Sequence, residues 1–184
     1  MKFGKYLPFV ALLGAIVLGT NSTAVGNSEN GEGNACREAA RAAADRHNIP
    51  EGLLSAIAEI ESEHNPLAIN VAGRTRLPDS HDEAAALLFN ANGQPRRNVM
   101  IGCMQIHTRW HLERVDGDPT RLLSPEDNAE VAAAILRELY DAHGSWQQAV
   151  GRYNGASRGA RFTRYVCAVD RELEAAGAAL DLGC

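Results

Sequence analysis

The chain has 184 residues, 45% of them hydrophobic and 22% charged, with a formal net charge of -5. That balance is ordinary for a soluble globular domain and excludes a low-complexity chain. It carries no basic stripe, and phosphate binding needs clustered Lys and Arg, so nucleic acid is not an expected partner.

Lys2 and Lys5 precede an apolar run over residues 7–19, and Ser22-Thr23-Ala24 forms a small-residue cleavage pattern. Residues 1–24 therefore read as a signal peptide cut after Ala24, with Gly26 as second choice. The apolar run is short for a membrane span, so a periplasmic protein is expected, with an uncleaved anchor as the alternative. Residues 25–35, rich in Gly, Asn and Glu, read as a flexible linker, and residues 36–184 as one domain. The four cysteines, Cys36, Cys103, Cys167 and Cys184, all follow the leader. An even count in an oxidising compartment implies disulfides, and four cysteines allow three pairings, among which spacing does not choose.

An Ala-rich helix is predicted over residues 35–47, broken at Asn48-Ile49-Pro50. Residues 53–66, LLSAIAEIESEHNP, carry Leu53, Leu54, Ile57, Ile60 and His64 at the spacing of one buried helix face. Glu61 stacks over Ile57 and Leu54, whereas Glu59 and Glu63 are expected to point away from it. One carboxyl thus faces the core side near a helix end. Burial disfavours its charged form and raises its pKa, which suits a general acid near neutral pH. The plainer alternative is a Glu snorkelling from the helix edge.

Asn65-Pro66 ends that helix. Residues 67–80 read as a loop with a short strand pair near 68–71, and Ser80 caps a short helix over 82–89. A turn over 90–97 and an apolar approach over 99–101 lead to Gly102. In the following GCMQIHTRWH, His107 and His111 are four apart. Thr108 stands where a zinc-protease helix needs Glu, so no metal is expected there. His64, at a helix end, reads as a satisfied polar contact.

Ser124-Pro125-Glu126-Asp127 is a helix start, with Val131, Ile135, Leu136 and Leu139 as its stripe and Gly144 as its stop. Ser145 caps a helix over 146–152, Tyr153-Asn154-Gly155 turns the chain, and a last helix runs over 160–174. Phe162, Tyr165, Val166 and Val169 share one side of it. No stretch alternates with period two over a useful length. The expected fold is one all-α domain, with at most a short hairpin in the 67–80 region.

Several of these pieces together resemble a known family. Glu61-Ser62, closing an apolar and Ala-rich helix before Asn65-Pro66, resembles the catalytic motif of the soluble lytic transglycosylases, which have a goose-type lysozyme-like fold. Gly102-Cys103-Met104-Gln105-Ile106 resembles their Gly-Leu-Met-Gln-Ile motif, with Cys103 for the usual Leu. His107 stands where Asn or Asp is common. Tyr153-Asn154-Gly155 resembles their Ala-Tyr-Asn motif, with Arg152 where Ala is usual. Thr163-Arg164-Tyr165-Val166 resembles the segment that brings a late Tyr beside the acid. The motifs occur in family order over residues 36–169.

The resemblance implies a lysozyme-like domain and a lyase that cleaves peptidoglycan glycan strands with no cofactor or metal. It implies that Glu61 is the catalytic acid and then the base. Ser62 holds the reacting sugar, Met104 and Gln105 line the groove, Tyr153 and Tyr165 lie near the carboxyl, and Asn154 binds substrate or holds its loop. A subgroup with one Cys in the first helix and a Gly-Cys in the second motif favours the pairs Cys36–Cys103 and Cys167–Cys184. The family further suggests a monomer serving a cell-envelope secretion or appendage machine. Two alternatives stand beside this reading: a goose-type muramidase that uses water, and a non-catalytic wall-binding assembly protein on the same scaffold. Asp82, Glu83 and Asp118 lie outside the motif segments and are the open candidates for a second carboxylate.

Overall fold

The computed structural model describes residues 28–184. The predicted signal peptide, with its cleavage site, lies outside the described residues. Among those described, no helix is long and apolar enough to cross a membrane.

The chain runs through α1 (Ser28–His47), α2 (Leu53–Ser62), β1 (Ile69–Val71), β2 (Arg74–Arg76), α3 (His81–Leu87), β3 (Val99–Ile101), β4 (Ile106–His107), α4 (Thr108–His111), α5 (Pro125–His143), α6 (Trp146–Tyr153) and α7 (Gly159–Ala175). α1 begins at Ser28, so the run expected as a linker is helical from that residue. The Ala-rich stretch behind it propagates the helix, and Asn34 Nδ2 donates to Glu38 Oε1 at 2.7 Å one turn on.

Helices dominate, and their predicted faces are buried. α5 packs against α1 and α6, and α2 packs against α1 and α7. α2 buries Leu53, Leu54, Ala56, Ile57 and Ala58; α5 buries Val131, Ala132, Ile135 and Leu136; α7 buries Phe162, Tyr165, Val166 and Val169. Ser80, Ser124 and Ser145 each accept a backbone N–H three residues on and start α3, α5 and α6. Gly151 brings α6 against α7 so closely that a Cβ there would lie 2.0 Å from the Phe162 ring.

The hairpin expected in the 67–80 region is β1–β2, with Asn70 opposite Thr75. It belongs to a four-stranded antiparallel sheet of order β2-β1-β3-β4. The segment 99–101, expected only as an apolar approach to Gly102, is the third strand, with Met100 opposite Asn70. Strands of two or three residues are too short to show a period in sequence.

Two disulfides close the structure. Cys36–Cys103 ties α1 to the turn after β3, and Cys167–Cys184 ties α7 to the tail; both are the pairs the resemblance favours. The tail is also held by buried Asp170, whose carboxylate accepts from Leu182 N at 2.8 Å and Cys184 N at 3.2 Å.

Candidate active site

A cleft of about 690 Å³ opens between the end of α2, the sheet, and the turn that joins α6 to α7. Glu61, Ser62, Gln105, Tyr153 and Asn154, all predicted site residues, line it. Glu61 reaches it because α2 lays Leu54 and Ile57 into the core and leaves the next position of the same stripe at the helix end.

Burial pushes the Glu61 pKa above the usual carboxylate range, while a hydrogen bond from Tyr165 and the charge of Arg161 pull the other way. Tyr165 Oη donates to Glu61 Oε1 at 2.6 Å. Burial, with the neighbouring carboxyl, keeps the phenols of Tyr153 and Tyr165 well above their ordinary pKa, so both are neutral donors. Glu61 is therefore held protonatable, with a fixed donor on one oxygen.

The Gly102–Gln105 turn is built from below. Gly102 has φ 76°, and a Cβ there would sit 2.6 Å from Asn128 Nδ2 and 2.7 Å from Leu122 O, so only glycine fits. Asn128 is fully buried on α5. Its Oδ1 accepts from Met104 N at 2.8 Å, and its Nδ2 donates to Ile101 O at 2.8 Å and Leu122 O at 2.9 Å. Gln105, at φ 48°, donates through Nε2 to Ala68 O at 2.9 Å and Gly102 O at 3.0 Å. Its amide oxygen is left for the cleft.

Met104 departs from expectation. Its side chain is fully buried and is not on the cleft wall. The reversal at Gly102 and the bond to Asn128 turn it into the core, and its carbonyl instead accepts from Tyr153 Oη at 2.9 Å. Ser62 lines the cleft, but its single proton is committed: Oγ donates to Cys103 O at 2.8 Å and accepts from Asn65 N at 3.1 Å. The hydroxyl thus pins the end of α2 to the Gly102 turn.

Glu63 also departs from expectation. α2 ends in two left-handed residues, Glu63 at φ 54° and His64 at φ 59°, and the helix projection no longer holds there. Glu63 lines the cleft beside Glu61. Glu59 does sit away from the cleft, where Oε2 lies 2.6 Å from His64 Nδ1 and 3.8 Å from Arg37. His64 is buried and also meets Ser55 Oγ at 3.2 Å, a satisfied polar contact.

His107 and His111 do not share a helix face, because His107 ends β4 and its ring accepts from Arg109 N at 3.1 Å as the cap of α4. No group of three or more His, Cys, Asp or Glu is placed to hold a metal among the described residues. Asp82, Glu83 and Asp118 are absent from the cleft wall.

Other residues that sequence reasoning did not place in the site also line the wall, among them His107, Trp110, Leu77 and Arg161. Trp110 is 69% exposed and Leu77 64%, the two exposed large hydrophobic side chains of the described residues, and both face this cleft. Such a coincidence marks a binding surface. A signal existed in the Arg-Trp dipeptide at 109–110, since an exposed-looking Trp next to polar residues has no core face to serve.

A mostly helical domain with a small antiparallel sheet and a buried acid at the edge of a cleft is the lysozyme-like arrangement expected above. Comparison with known proteins agrees. The family described as Transglycosylase SLT domain matches residues 38–169, and the chain belongs to that family. It is similar to Protein IpgF of Shigella sonnei, 31% identical over 118 residues, and equally to Protein IpgF of Shigella flexneri. These matches span 62% of this chain and 63% of the relatives' length. No solved structure matches the chain significantly.

Proposed function

We propose that the protein is a peptidoglycan lytic transglycosylase that cleaves the β-1,4 bond from N-acetylmuramic acid to N-acetylglucosamine. The observation that carries this reading is the Glu61 carboxyl, raised in pKa by burial and bonded to Tyr165 at the edge of the cleft. Ordinary glycosidases set two carboxylates across the sugar. Among the described residues on the cleft wall, the other acid is Glu63, two residues along the same segment.

With one buried acid, an internal nucleophile takes the place of water. Glu61 protonates the bridging oxygen as the bond to C1 breaks, releasing the 4-hydroxyl of N-acetylglucosamine. The acetamido group of the muramoyl residue stabilises C1. Glu61, now a carboxylate, takes the proton of the 6-hydroxyl as O6 bonds to C1, giving a 1,6-anhydromuramoyl end. An internal hydroxyl held near C1 has the high effective molarity that outcompetes water. Tyr165 orients Glu61, and Gln105, Tyr153 and Asn154 contact the sugars. Ser62 and Met104 act through the turn they build. The chemistry needs no metal or cofactor.

Glu63 on the cleft wall keeps a second reading in play, a muramidase in which it activates water. Mass spectrometry of released fragments decides: products one water lighter than reducing fragments support the transglycosylase, and reducing ends support the muramidase. We assign the protein to the periplasm as a monomer, exported by its leader, where it opens the wall locally for a secretion or appendage machine or for wall remodelling.

A further inference from the structure

Among the described residues, the cleft wall carries one permanent cation. Of the residues on its wall, Arg161 is the one Arg or Lys. His107, the other basic group, has its pKa pushed down by burial and by Arg109, so it is neutral at neutral pH. On the opposite side of the charge balance stand Glu61 and Glu63.

Arg161 is positioned without being neutralised. Its Nε donates to Asn154 Oδ1 at 2.9 Å and its Nη2 to Asn154 O at 2.6 Å. These partners are neutral. Several arginines elsewhere on the surface are instead fixed by carboxylates, such as Arg114 by Glu138 and Arg46 by Glu130. A guanidinium has five N–H donors; two are used, so three remain on an exposed head at the cleft. It lines the same cleft as Glu61, and its charge pulls the Glu61 pKa down. A fixed, exposed guanidinium with spare donors and its full charge is built to receive a carboxylate. Net charge -5 makes such a local cation more telling, since an anionic substrate otherwise meets an acidic protein.

We propose that Arg161, held by Asn154, binds a carboxylate carried on the 3-O-lactyl arm of the muramoyl residue beside the scissile bond. This rests on the proposed glycan substrate. The carboxylate has two sources: the free lactyl group of a peptide-free strand, or an acidic residue of a stem peptide. The first source would make a reaction that cleaves the lactyl amide the supplier of this substrate.

The test reads binding apart from turnover. Glu61→Gln protein, with and without Arg161→Gln or Arg161→Lys, is titrated with peptide-free strands, peptide-bearing strands and a neutral chito-oligosaccharide, which lacks the lactyl arm. Arg161→Gln is expected to weaken binding about tenfold or more for the strands that supply the carboxylate. It should weaken the neutral oligosaccharide far less, by no more than the loosening of Asn154 costs, and Arg161→Lys should recover part of the loss. Loss confined to peptide-free strands assigns the lactyl carboxylate; loss confined to peptide-bearing strands assigns the stem. Unchanged binding of both strand classes, or equal loss with the neutral ligand, overturns the proposal. Digests by the unsubstituted protein test the reaction separately, so failure of turnover is told apart from failure of recognition.

Discussion

Tyr165 Oη donates to Glu61 Oε1 at 2.6 Å, joining two residues 104 positions apart in the chain. The bond stabilises the carboxylate, so it opposes the burial that raises the Glu61 pKa. It also fixes which oxygen can carry the proton toward substrate.

Tyr165→Phe removes one of the two groups that lower the Glu61 pKa, and that pKa rises further. The acid form is the one that starts the reaction. Activity falls as pH climbs through the Glu61 pKa, so the alkaline limb of the pH–rate profile should move to higher pH in Tyr165→Phe. Turnover at the optimum should drop about tenfold or more through lost orientation. A limb that moves toward acid would contradict this role.

Burial of Glu61 also has a stability consequence. Its native pKa lies above the unfolded value. The group's contribution is therefore fully present below the unfolded pKa and is lost as pH rises through the native pKa. Glu61→Gln carries no buried charge at any pH. It should melt at a higher temperature than the unsubstituted protein above neutral pH, and the gap should close in acid. Thermal melts across that range check the sign.

The helical frame was legible because its signals are local. Ser124-Pro125 and Gly144 bound α5, and the stripe under Glu61 follows from the period of α2. The sheet was half legible, since strands of two or three residues show no alternation. Glu63 was misplaced because the left-handed end of α2 breaks the periodicity on which its projection rested. Met104 was carried onto the cleft by its motif, whereas buried Asn128, 24 residues away, turns it inward. Asn128 and Arg161 carry no local signal: each matters through a turn that only the folded chain brings to it.

Gly102→Ala tests the turn. It adds a side chain at φ 76° and 2.6 Å from Asn128 Nδ2. Left-handed strain and overpacking together should cost about 2–5 kcal/mol. Denaturant unfolding should show a lower midpoint with an unchanged slope, and activity should fall because Gln105 shifts with the turn. Asn128→Ala, which frees two carbonyls and one N–H, should lower stability by a comparable amount.

Removal of Cys36–Cys103, with serine at both positions, should destabilise by about 2–5 kcal/mol. This bond links α1 to the residue whose carbonyl accepts from Ser62. Its loss should therefore reduce activity more than loss of Cys167–Cys184, which lies at the tail. Non-reducing peptide mapping checks the pairing, and Cys36 linked to Cys184 would refute it.

Glu61→Gln should abolish turnover while the fold and glycan binding persist. Gln matches a protonated Glu in shape, accepts the Tyr165 hydroxyl through its amide oxygen and leaves the Leu54 and Ile57 packing intact. It cannot deliver a proton to the bridging oxygen or take one from the 6-hydroxyl. Both halves of the reaction fail, and acid–base assistance alone is typically worth ~10²–10⁴-fold. Glu59→Gln, away from the cleft on His64 and Arg37, should change turnover little. Glu63→Gln discriminates between mechanisms because Glu63 faces the cleft. A transglycosylase should keep most of its rate and still release anhydro ends, since its nucleophile is the substrate's own hydroxyl. A muramidase that uses Glu63 to activate water should lose its rate about as severely as Glu61→Gln does. Near-normal turnover by Glu61→Gln would remove Glu61 from the chemistry altogether.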